Sequence, residues 1–510
     1  MSAVPTINKR ELPTASSAPA RHSGEGRNLP TSSFRTPRSG DPESSSLPSA
    51  VEHGVDDAQV QTKMGWPMVR LGDVAKTSSG GTPKRSVSSY YDGDIPWVKS
   101  GELGDRIVYE TEERISQAAL EQSSAKLFPK GTLCVALYGA TVGKLGILGI
   151  GAATNQAVCG IFLPESIDTR FAYRFLESKR RELIEKGKGG AQPNISQEII
   201  RDLEFPLPVI GVQHQIVAEI EKQFTRLDAG VAALRRAQAN LRRYRAAVLK
   251  VACEGRLVPT EAELAKAEGR NYETGEQLLV RILADRRKNW HGRGKYKEPA
   301  APDTTNLTLL PEGWRTASVD QLCGHITSGS RDWSKFYGRG KGTFILAQNV
   351  RPMRLDLTER QAVDAPEGDA ETERTRVRRD DILVTIVGAK TGDVCRIPID
   401  LDEHFVCQSV AIIRPLITES AKFIEMYLAS QENGQEQWKR YIYGQGRPHL
   451  SFEQLKATAI QLPPLAEQAR IVAEVERRLS VIEELEAAVN ANLRRAGRLR
   501  NSILRKAFSN

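Results

Sequence analysis

The chain has 510 residues, 40% of them hydrophobic, which is enough to bury two ordinary domain cores of about 100–200 residues each. Its formal net charge of +9 and its pI near 9.1 favour a polyanionic partner. No apolar run approaches the roughly 18 residues of a transmembrane helix, which argues against membrane insertion. The six cysteines are scattered without a CxxC motif. Because no signal peptide is recognisable either, we expect reduced thiols, mostly in the cores, and a cytoplasmic protein.

The first 63 residues differ from the rest of the chain. They are rich in serine and proline, contain few large apolar residues and follow no period. Such a segment buries too little apolar surface to offset the entropy of its own ordering, so we predict disorder. Met64 stands directly before a Gly-Trp pair. We therefore hypothesise that residues 1–63 are a mis-assigned start, which N-terminal sequencing of the native protein tests.

The remaining chain is a duplication. Ile216-Val217-Ala218-Glu219 recurs 255 residues later, from Ile471, and a Gly-Trp pair opens each half, at Gly65 and at Gly313. This period is too long for a solenoid repeat of roughly 20–50 residues. A duplicated globule with its helix suggests a ligand with two sub-sites. The predicted organisation is a first globule in 64–208, a helix in 209–255, a linker with a short helix in 256–310, a second globule in 311–463 and a second helix in 464–510.

A glycine-containing segment, Tyr138 to Gly146, is the nearest approach to a phosphate-binding loop. It is one residue short and lacks a hydroxyl residue after Lys144, and its second copy has Asp393 at the position of that lysine. A glycine-bent turn between two strands is therefore favoured over a nucleotide site. The seven histidines are dispersed and no Ser/His/Asp arrangement is readable. We accordingly predict no catalytic, cofactor-binding or metal-ligating residue in this chain.

Each half ends in a proline-free stretch with apolar residues at alternating steps of four and three, the heptad pattern of a coiled coil. Gln238 and Arg245 interrupt the first seam, and Glu486 and Arg500 the second. Two matching seams most simply pack on each other, and a pseudo-two-fold axis between the halves requires them to run antiparallel. Helices packed only on their own globules remain the alternative. The predicted seam residues are Ile220, Phe224, Leu227, Val231, Leu234, Leu241, Val248, Val475, Leu479, Ile482, Val489, Leu493 and Ile503.

Three signatures resemble the specificity subunit of Type I restriction-modification enzymes. They are the segment that opens at Gly65, the linker "YKEPAAPDTTNLTLLPEGW" and the duplicated "LPPLAEQARIV". They occur in the family's order, and the resemblance extends from Gly65 to Asn510. One departure lies at the start of the first helix, where Gly211-Val212 stand in place of the Ala466-Glu467 of the second copy.

This resemblance implies an α+β protein with two α/β target recognition domains in tandem, each followed by a long helix, with the helices paired in an antiparallel coiled coil. It implies a non-catalytic DNA reader that recognises a bipartite, asymmetric site in double-stranded DNA. Two modification subunits, which methylate adenine N6, and restriction/translocase subunits are the implied partners. S-adenosylmethionine, ATP and magnesium are expected on those partners and not on this chain. The alternatives are a self-contained methyltransferase or nuclease and a coiled-coil scaffold without a DNA role.

Base readout in the major groove needs Arg or Lys for guanine and Asn or Gln for adenine. The loops before Pro193 and Pro448 are the favoured reading loops, because their scaffold recurs while their polar residues differ. Each of these side chains can also simply cap a turn or lie in solvent. The candidates are Lys84, Arg85, Lys99, Asn155, Gln156, Gln192 and Asn194 in the first globule, and Arg331, Lys335, Arg339, Lys341, Lys390, Gln408, Gln445, Arg447 and His449 in the second.

Overall fold

The computed structural model describes residues 65–187, 194–291, 294–303, 309–329, 333–442 and 448–508. The predictions made for residues 1–63 lie outside this part of the chain. Within it, no helix is long and apolar enough to cross a membrane.

The first half is built from short strands around one longer helix. A five-stranded sheet has the order β2-β10-β7-β8-β4, a four-stranded sheet the order β5-β3-β9-β6, and β1 pairs with β11. The helices are α1 Leu71–Val74, α2 Gln117–Gln122, α3 Thr169–Lys186 and α4 Gln197–Arg201. The strands are β1 Met68–Arg70, β2 Lys76–Ser79, β3 Ile95–Val98, β4 Arg106–Val108, β5 Glu113–Ile115, β6 Leu127–Phe128, β7 Leu133–Ala136, β8 Leu145–Leu148, β9 Ala152–Thr154, β10 Val158–Phe162 and β11 Glu204–Pro206.

The core of the first half lies between helix α3 and the five-stranded sheet. The carboxylate of Asp168 accepts a hydrogen bond of 2.8 Å from the backbone N–H of Phe171 and so caps the helix. Phe171, Phe175 and Leu176 are buried in one cluster with residues of β7 and β10. This helix therefore fixes the sheet from which the loops of the first half project.

Three helices follow the first globule: α5 Ile210–Cys253, α6 Glu261–Glu268 and α7 Gly275–Lys288. Helix α7 is the predicted short helix of the linker. Helix α6 was not predicted, although its signal is present in the sequence. The hydroxyl of Thr260 accepts from the backbone of Glu263, and the Glu263 side chain accepts from the backbone of Thr260, which is a complete capping box.

The second half repeats this plan with longer strands. A four-stranded sheet has the order β13-β21-β18-β19, a three-stranded sheet the order β17-β14-β20, and β15 pairs with β16 and β12 with β22. The helices are α8 Val319–Leu322, α9 Ala370–Thr375, α10 Ala421–Ala429, α11 Gly434–Ile442, α12 Phe452–Lys456 and α13 Leu465–Phe508. The strands are β12 Arg315–Ser318, β13 Cys323–Ser328, β14 Tyr337–Ile345, β15 Val350–Arg351, β16 Arg354–Leu355, β17 Gln361–Val363, β18 Ile382–Thr385, β19 Val394–Arg396, β20 His404–Val406, β21 Val410–Pro415 and β22 Ala459–Leu462.

The duplication is visible in the backbone. Helices α5 and α13 both have 44 residues, and their first and last residues are 255 positions apart. The predicted glycine-bent turn joins antiparallel strands in each half, β7 to β8 and β18 to β19. Gly139 and Gly388 have φ of 82° and 102° at equivalent positions of these turns, a conformation that L residues with a side chain rarely adopt. The turn is therefore a repeated piece of the frame, with the glycine-bent strand-turn-strand geometry that the sequence predicts.

The start of each long helix is held by one buried glutamine. The side-chain amides of Gln213 and Gln468 donate to the carbonyl oxygens of Pro208 and Pro463, over 2.8 and 2.9 Å. Both glutamines are almost fully buried. Because the bonded carbonyl lies five residues upstream in each case, the bond fixes the angle at which the chain turns from the globule into the helix.

Helices α5 and α13 pack against each other as an antiparallel coiled coil, which confirms the predicted arrangement. Asp228 pairs with Arg500 over 3.1 Å, Gln238 with Asn490 over 3.0 Å and Arg245 with Glu483 over 3.7 Å. From one pair to the next, the residue number rises by ten and then seven in α5 and falls by the same ten and seven in α13. This constant register extends along the coil.

The polar interruptions of the two seams bond across the coil. Arg245 of the first seam pairs with Glu486 of the second over 3.2 Å, while Gln238 and Arg500 bond to the neighbours Asn490 and Asp228. Polar residues inside a seam specify orientation and register at some cost in stability. The predicted second seam was incomplete, because Ala496 and Leu504 are also buried in it. The heptad pattern did not reveal these two positions. Ala496 is too small to give a clear apolar signal, and Leu504 lies directly beside Ile503, which was assigned to the seam in its place.

Each globule packs against the start of its own helix and the end of the other. Phe508, near the end of α13, lies against Phe171 and Phe175 of the first globule, with ring centroids 5.3 and 5.6 Å apart. Val248 and Ala252, near the end of α5, are buried in the core of the second globule. The coil therefore carries one globule at each end and is anchored in both.

All six cysteines are free and buried, as expected of core residues. Burial raises the pKa of each of these thiols. They are therefore uncharged packing residues rather than reactive thiolates.

A buried carboxylate ties the linker to the second globule. Glu467, at the start of α13, accepts hydrogen bonds from the indole N–H of Trp314 over 2.9 Å and from the backbone N–H of Glu261 over 2.8 Å. Glu261 itself pairs with Arg270 and Arg470, each over 2.6 Å. Burial raises the pKa of Glu467 above its usual range. This junction joins the linker, the opening tryptophan of the second globule and the second long helix.

We expect replacement of both Arg245 and Glu486 by leucine to leave the free energy of unfolding within about 1 kcal/mol of that of the natural protein, or to raise it. Arg245→Leu should lower the free energy of unfolding by about 1 kcal/mol, because Glu486 keeps its desolvation cost without its partner. Glu486→Leu should cost less, because Arg245 keeps its contact with Glu483 over 3.7 Å. Urea unfolding of the four proteins gives the double-mutant cycle. A double variant less stable than both single variants would contradict this assignment.

Glu467→Gln should lower the free energy of unfolding by about 1–3 kcal/mol, because an amide can accept only one of the two hydrogen bonds and leaves a buried N–H unpaired. The native state holds the proton of Glu467 more tightly than the unfolded chain does, so this group stabilises the fold increasingly as the pH falls towards the carboxyl's ordinary pKa. The deficit of the variant should therefore widen on acidification. The matched control is Glu476→Gln, an exposed carboxylate on the same helix that pairs with Lys422, and it should change little. An unchanged deficit between pH 8 and pH 5 would refute the assignment.

Candidate DNA interface

An open cleft of about 630 Å³ lies on the second globule and contains two of the predicted reading residues. Gln408 and His449 line it together with Ser328 and Glu453. Gln408 and His449 are 41 positions apart in the chain, and the fold brings them to one surface. The side chains in the cleft offer amide, imidazole, hydroxyl and carboxylate groups, which include the donors and acceptors that match base edges.

The walls of the cleft are strand ends held by backbone hydrogen bonds. Val387 and His449 form an isolated antiparallel bridge, and the backbone N–H of Leu450 donates to Ile386 over 2.9 Å. At the end of β13, a side chain on Gly329 would place its Cβ 1.6 Å from the carbonyl oxygen of Val406. Only glycine fits there, so the edge of the cleft next to Ser328 is fixed by packing inside the protein.

The first globule contains the same frame with a different lining. Tyr138 and Asn194 form the bridge equivalent to Val387 and His449, which supports the predicted pairing of Asn194 with His449. The side-chain amide of Gln197 donates to the hydroxyl of Ser79 over 2.7 Å. The Gln197 side chain therefore spans the part of the first globule that corresponds to the cleft. Phe452, at the position equivalent to Gln197, lines the cleft of the second globule instead. The two globules therefore present different surfaces from one backbone plan.

Gln156, the counterpart of Gln408, is already engaged, because its side-chain oxygen accepts a hydrogen bond from the hydroxyl of Thr82. Next to it, the Oδ1 atom of Asn155 is buried and has no hydrogen-bond partner among the described residues. Gly80 and Gly81, which directly follow β2, are of the residue type that lets a ligand approach the backbone closely. Their Cβ positions instead collide with the backbone of Thr154 and Ser124, at 2.1 and 2.2 Å, so these glycines serve internal packing.

Arg85 and Lys99 converge on one carboxylate. Arg85 makes two hydrogen bonds to Glu113, over 2.6 and 3.2 Å, and Lys99 lies 3.1 Å from the same group. The guanidinium also lies over the ring of Tyr91, 4.3 Å from its centroid. The hydrogen bond from Arg85 lowers the pKa of Glu113. Both cations are thus positioned by the protein, and a DNA contact by either requires this carboxylate to be shared or displaced.

The other described candidates do not line the cleft. Lys84 is exposed in a turn, and Arg339 and Lys341 are exposed on β14. Lys335 lies over the ring of Phe336 at 4.9 Å. Lys390 is exposed in the turn that follows Gly388. Gln192, Arg331, Gln445 and Arg447 lie outside the described residues, so the structure does not test them. The roles of all these residues in DNA contact stay predictions.

Two residues that line the cleft, Ser328 and Glu453, were not among the predicted reading residues. The signal for Ser328 is its repeat partner Ser79, since both residues stand directly before the packing glycine of their half. Glu453 gives no such signal, because it lies on an ordinary helical turn. Among the described residues, no group of histidine, cysteine or acidic side chains is arranged to hold a metal ion.

The family model of the Type I restriction modification DNA specificity domain matches residues 63–231 and 363–495, which is more than half of the chain. The EcoKI specificity subunit of Escherichia coli K12 is 22% identical over 456 residues, covering 87% of this chain and 88% of that one. The EcoBI specificity subunit of Escherichia coli is 25% identical over 372 residues, covering 70% and 69%. With the Escherichia coli EcoR124I/EcoR124II specificity subunit the match is shorter: 26% identity over 158 residues, 30% of this chain and 39% of the relative.

A solved structure that concerns complex assembly and conformational transition of the type I R-M system has the same fold. The TM-score is 0.62 at 19% identity, and the match covers 87% of this chain and 98% of the other. The repeated frame, the antiparallel coil and the matched family model agree. This chain belongs to the Type I restriction modification DNA specificity domain family.

Proposed function

We propose that this chain is the DNA-reading subunit of a Type I restriction-modification complex, and that each globule recognises one half of a bipartite, asymmetric site in double-stranded DNA. The observation that carries the proposal is a common frame with two different linings: the bridges at Asn194 and His449 are equivalent, while the surfaces beside them differ. Two unlike readers on one chain suit a site whose halves are unlike. The chain's net charge of +9 suits a polyanion.

The coiled coil supports a fixed gap between the half-sites. Each helix of 44 residues spans about 66 Å. Reading heads on one face of B-DNA are naturally separated by whole helical turns of roughly 34 Å. Because the globules are anchored at opposite ends of a paired, regular coil, the distance between them is set by the coil and not by a flexible linker.

The coil also carries a surface suited to two identical partners. Tyr244 on α5 and Leu499 on α13 are 255 positions apart, and their exposed fractions are 48% and 49%. Large apolar side chains at equivalent exposed positions are the pattern expected when a pair of like subunits docks around a two-fold axis. We assign these positions to two modification subunits, with restriction/translocase subunits joining that core.

Catalysis in this proposal belongs to the partners. The modification subunits bind S-adenosylmethionine and methylate adenine N6, and the restriction subunits use ATP and magnesium. The specificity chain supplies sequence selection and the spacing of the two active subunits. Methylation or cleavage by the pure, isolated chain would overturn this division of labour.

Co-expression with a modification subunit from the same genome, followed by genome-wide mapping of N6-methyladenine, tests the proposal directly. We expect a split motif with two different halves and one fixed gap. A palindromic motif, or no motif at all, would contradict it. Binding of the isolated chain to a duplex with that motif should weaken steeply with salt, whereas a scaffold without a DNA role would show no specific retention.

Gln408→Ala should relax the sequence requirement at one position of one half-site and leave the other half-site unchanged. A lost bidentate contact to adenine corresponds to about 1–3 kcal/mol of discrimination. The measurement is the methylation motif of the variant, and the matched control is Gln156→Ala in the first globule, whose amide oxygen is occupied by Thr82. Uniform loss of binding to all sequences would mark Gln408 as a phosphate contact instead.

A further inference from the structure

The two halves differ where their opening strand pairs lie. In the second half, helix α7 covers the pair formed by β12 and β22. Leu278, Leu279 and Ile282 of α7 are buried in one core with Trp314 and Leu462. These three residues, with Gly275, occupy one face of the helix at positions i, i+3, i+4 and i+7.

The contact between α7 and the strand pair is close. The backbone N–H of Gly275 donates to the carbonyl oxygen of Gly313 over 2.7 Å. A side chain on Gly275 would place its Cβ 2.3 Å from the carbonyl oxygen of Leu462. As a result, Trp314 is only 7% exposed. The strand pair is thus covered by an amphipathic helix, and a glycine lies where that helix crosses the strands.

The equivalent surface of the first half is exposed in the described part of the chain. Val209 is 74% exposed, whereas Pro464 at the equivalent position is buried. Met68 is 44% and Ile210 39% exposed. We call the surface formed by Trp66, Met68, Val209 and Ile210 the uncovered face.

We propose that the uncovered face is a docking site for an amphipathic helix of a modification subunit, seated as α7 is seated on the second half. This inference rests on the proposed function, which supplies the partner. Because the second half already carries its own cover, only one of the two modification subunits gains this contact. The two partner positions, otherwise equivalent, therefore differ in affinity.

The chemistry of the occupant follows from one substitution within the repeat. Glu467 accepts a hydrogen bond from the backbone N–H at the start of the linker helix α6. The equivalent position in the first half is occupied by Val212. The uncovered face therefore lacks the carboxylate that holds a helix N-terminus in the second half. What remains is apolar, so the partner helix should contact it through leucine-like side chains at i, i+3, i+4 and i+7, as α7 does on the second half.

The test is Val209→Asp in the full chain, co-expressed with the modification subunit and analysed by native mass spectrometry. We expect the natural chain to bind two modification subunits and the variant to lose one, with affinity for that copy at least tenfold lower. The matched control is Val280→Asp, on α7, where the valine is 63% exposed; it should keep both. Met68→Glu, on a different segment of the same face, should repeat the loss.

A variant that keeps both modification subunits at natural affinity overturns the inference alone. A natural chain that binds specific DNA but no modification subunit overturns the partner assignment as well, so the two failures are distinguishable. A photo-crosslinking residue at position 209 should label one amphipathic helix of the modification subunit. Crosslinking to a second copy of this chain, together with self-association that Val209→Asp abolishes, would also overturn the inference.

Discussion

The pairing of α5 with α13 is the constraint on which the rest of the molecule depends. Each helix leaves its globule at an angle fixed by a buried glutamine, and each ends in the core of the opposite globule. The register of the coil therefore determines where both globules lie. Cross-coil bonds such as Gln238 to Asn490 and Arg245 to Glu486 fix that register. Apolar seam residues supply most of the association, while these polar pairs select one alignment among those that the seam permits.

The two proposed reading surfaces share their backbone structure and differ in the side chains that they present. Gly139 and Gly388, with the bridges at Asn194 and His449, preserve the path of the backbone in both halves. The side chains beside them are free to differ, as Gln197 and Phe452 do. In physical terms, backbone hydrogen bonds and left-handed glycines hold the scaffold, so exposed side chains change at little cost to the fold.

Local patterns in the sequence predicted the fold well, because heptads, proline-bounded turns and repeated glycines act over short distances. The interruptions at Arg245 and Glu486 were visible as polar residues, but their contact depends on the register of two segments 241 positions apart. The site was less predictable for the same reason. Gln408 and His449 meet only in the folded chain, while Arg85 is drawn to Glu113, a carboxylate that no motif singled out. Whether a polar side chain remains free to contact DNA depends on its contacts with residues far away in the sequence, and not on its residue type alone.

The matched steps of ten and seven residues along the coil restrict how such a protein can change its reach. A heptad added to α5 alone would leave seven residues without partners on α13 and would turn one globule out of alignment. Lengthening requires equal insertions in both helices, each of about 10 Å per heptad, or roughly three base pairs at 3.4 Å each. On the proposed function, the gap between half-sites is therefore quantised, and a new gap arises by coordinated duplication rather than by gradual drift.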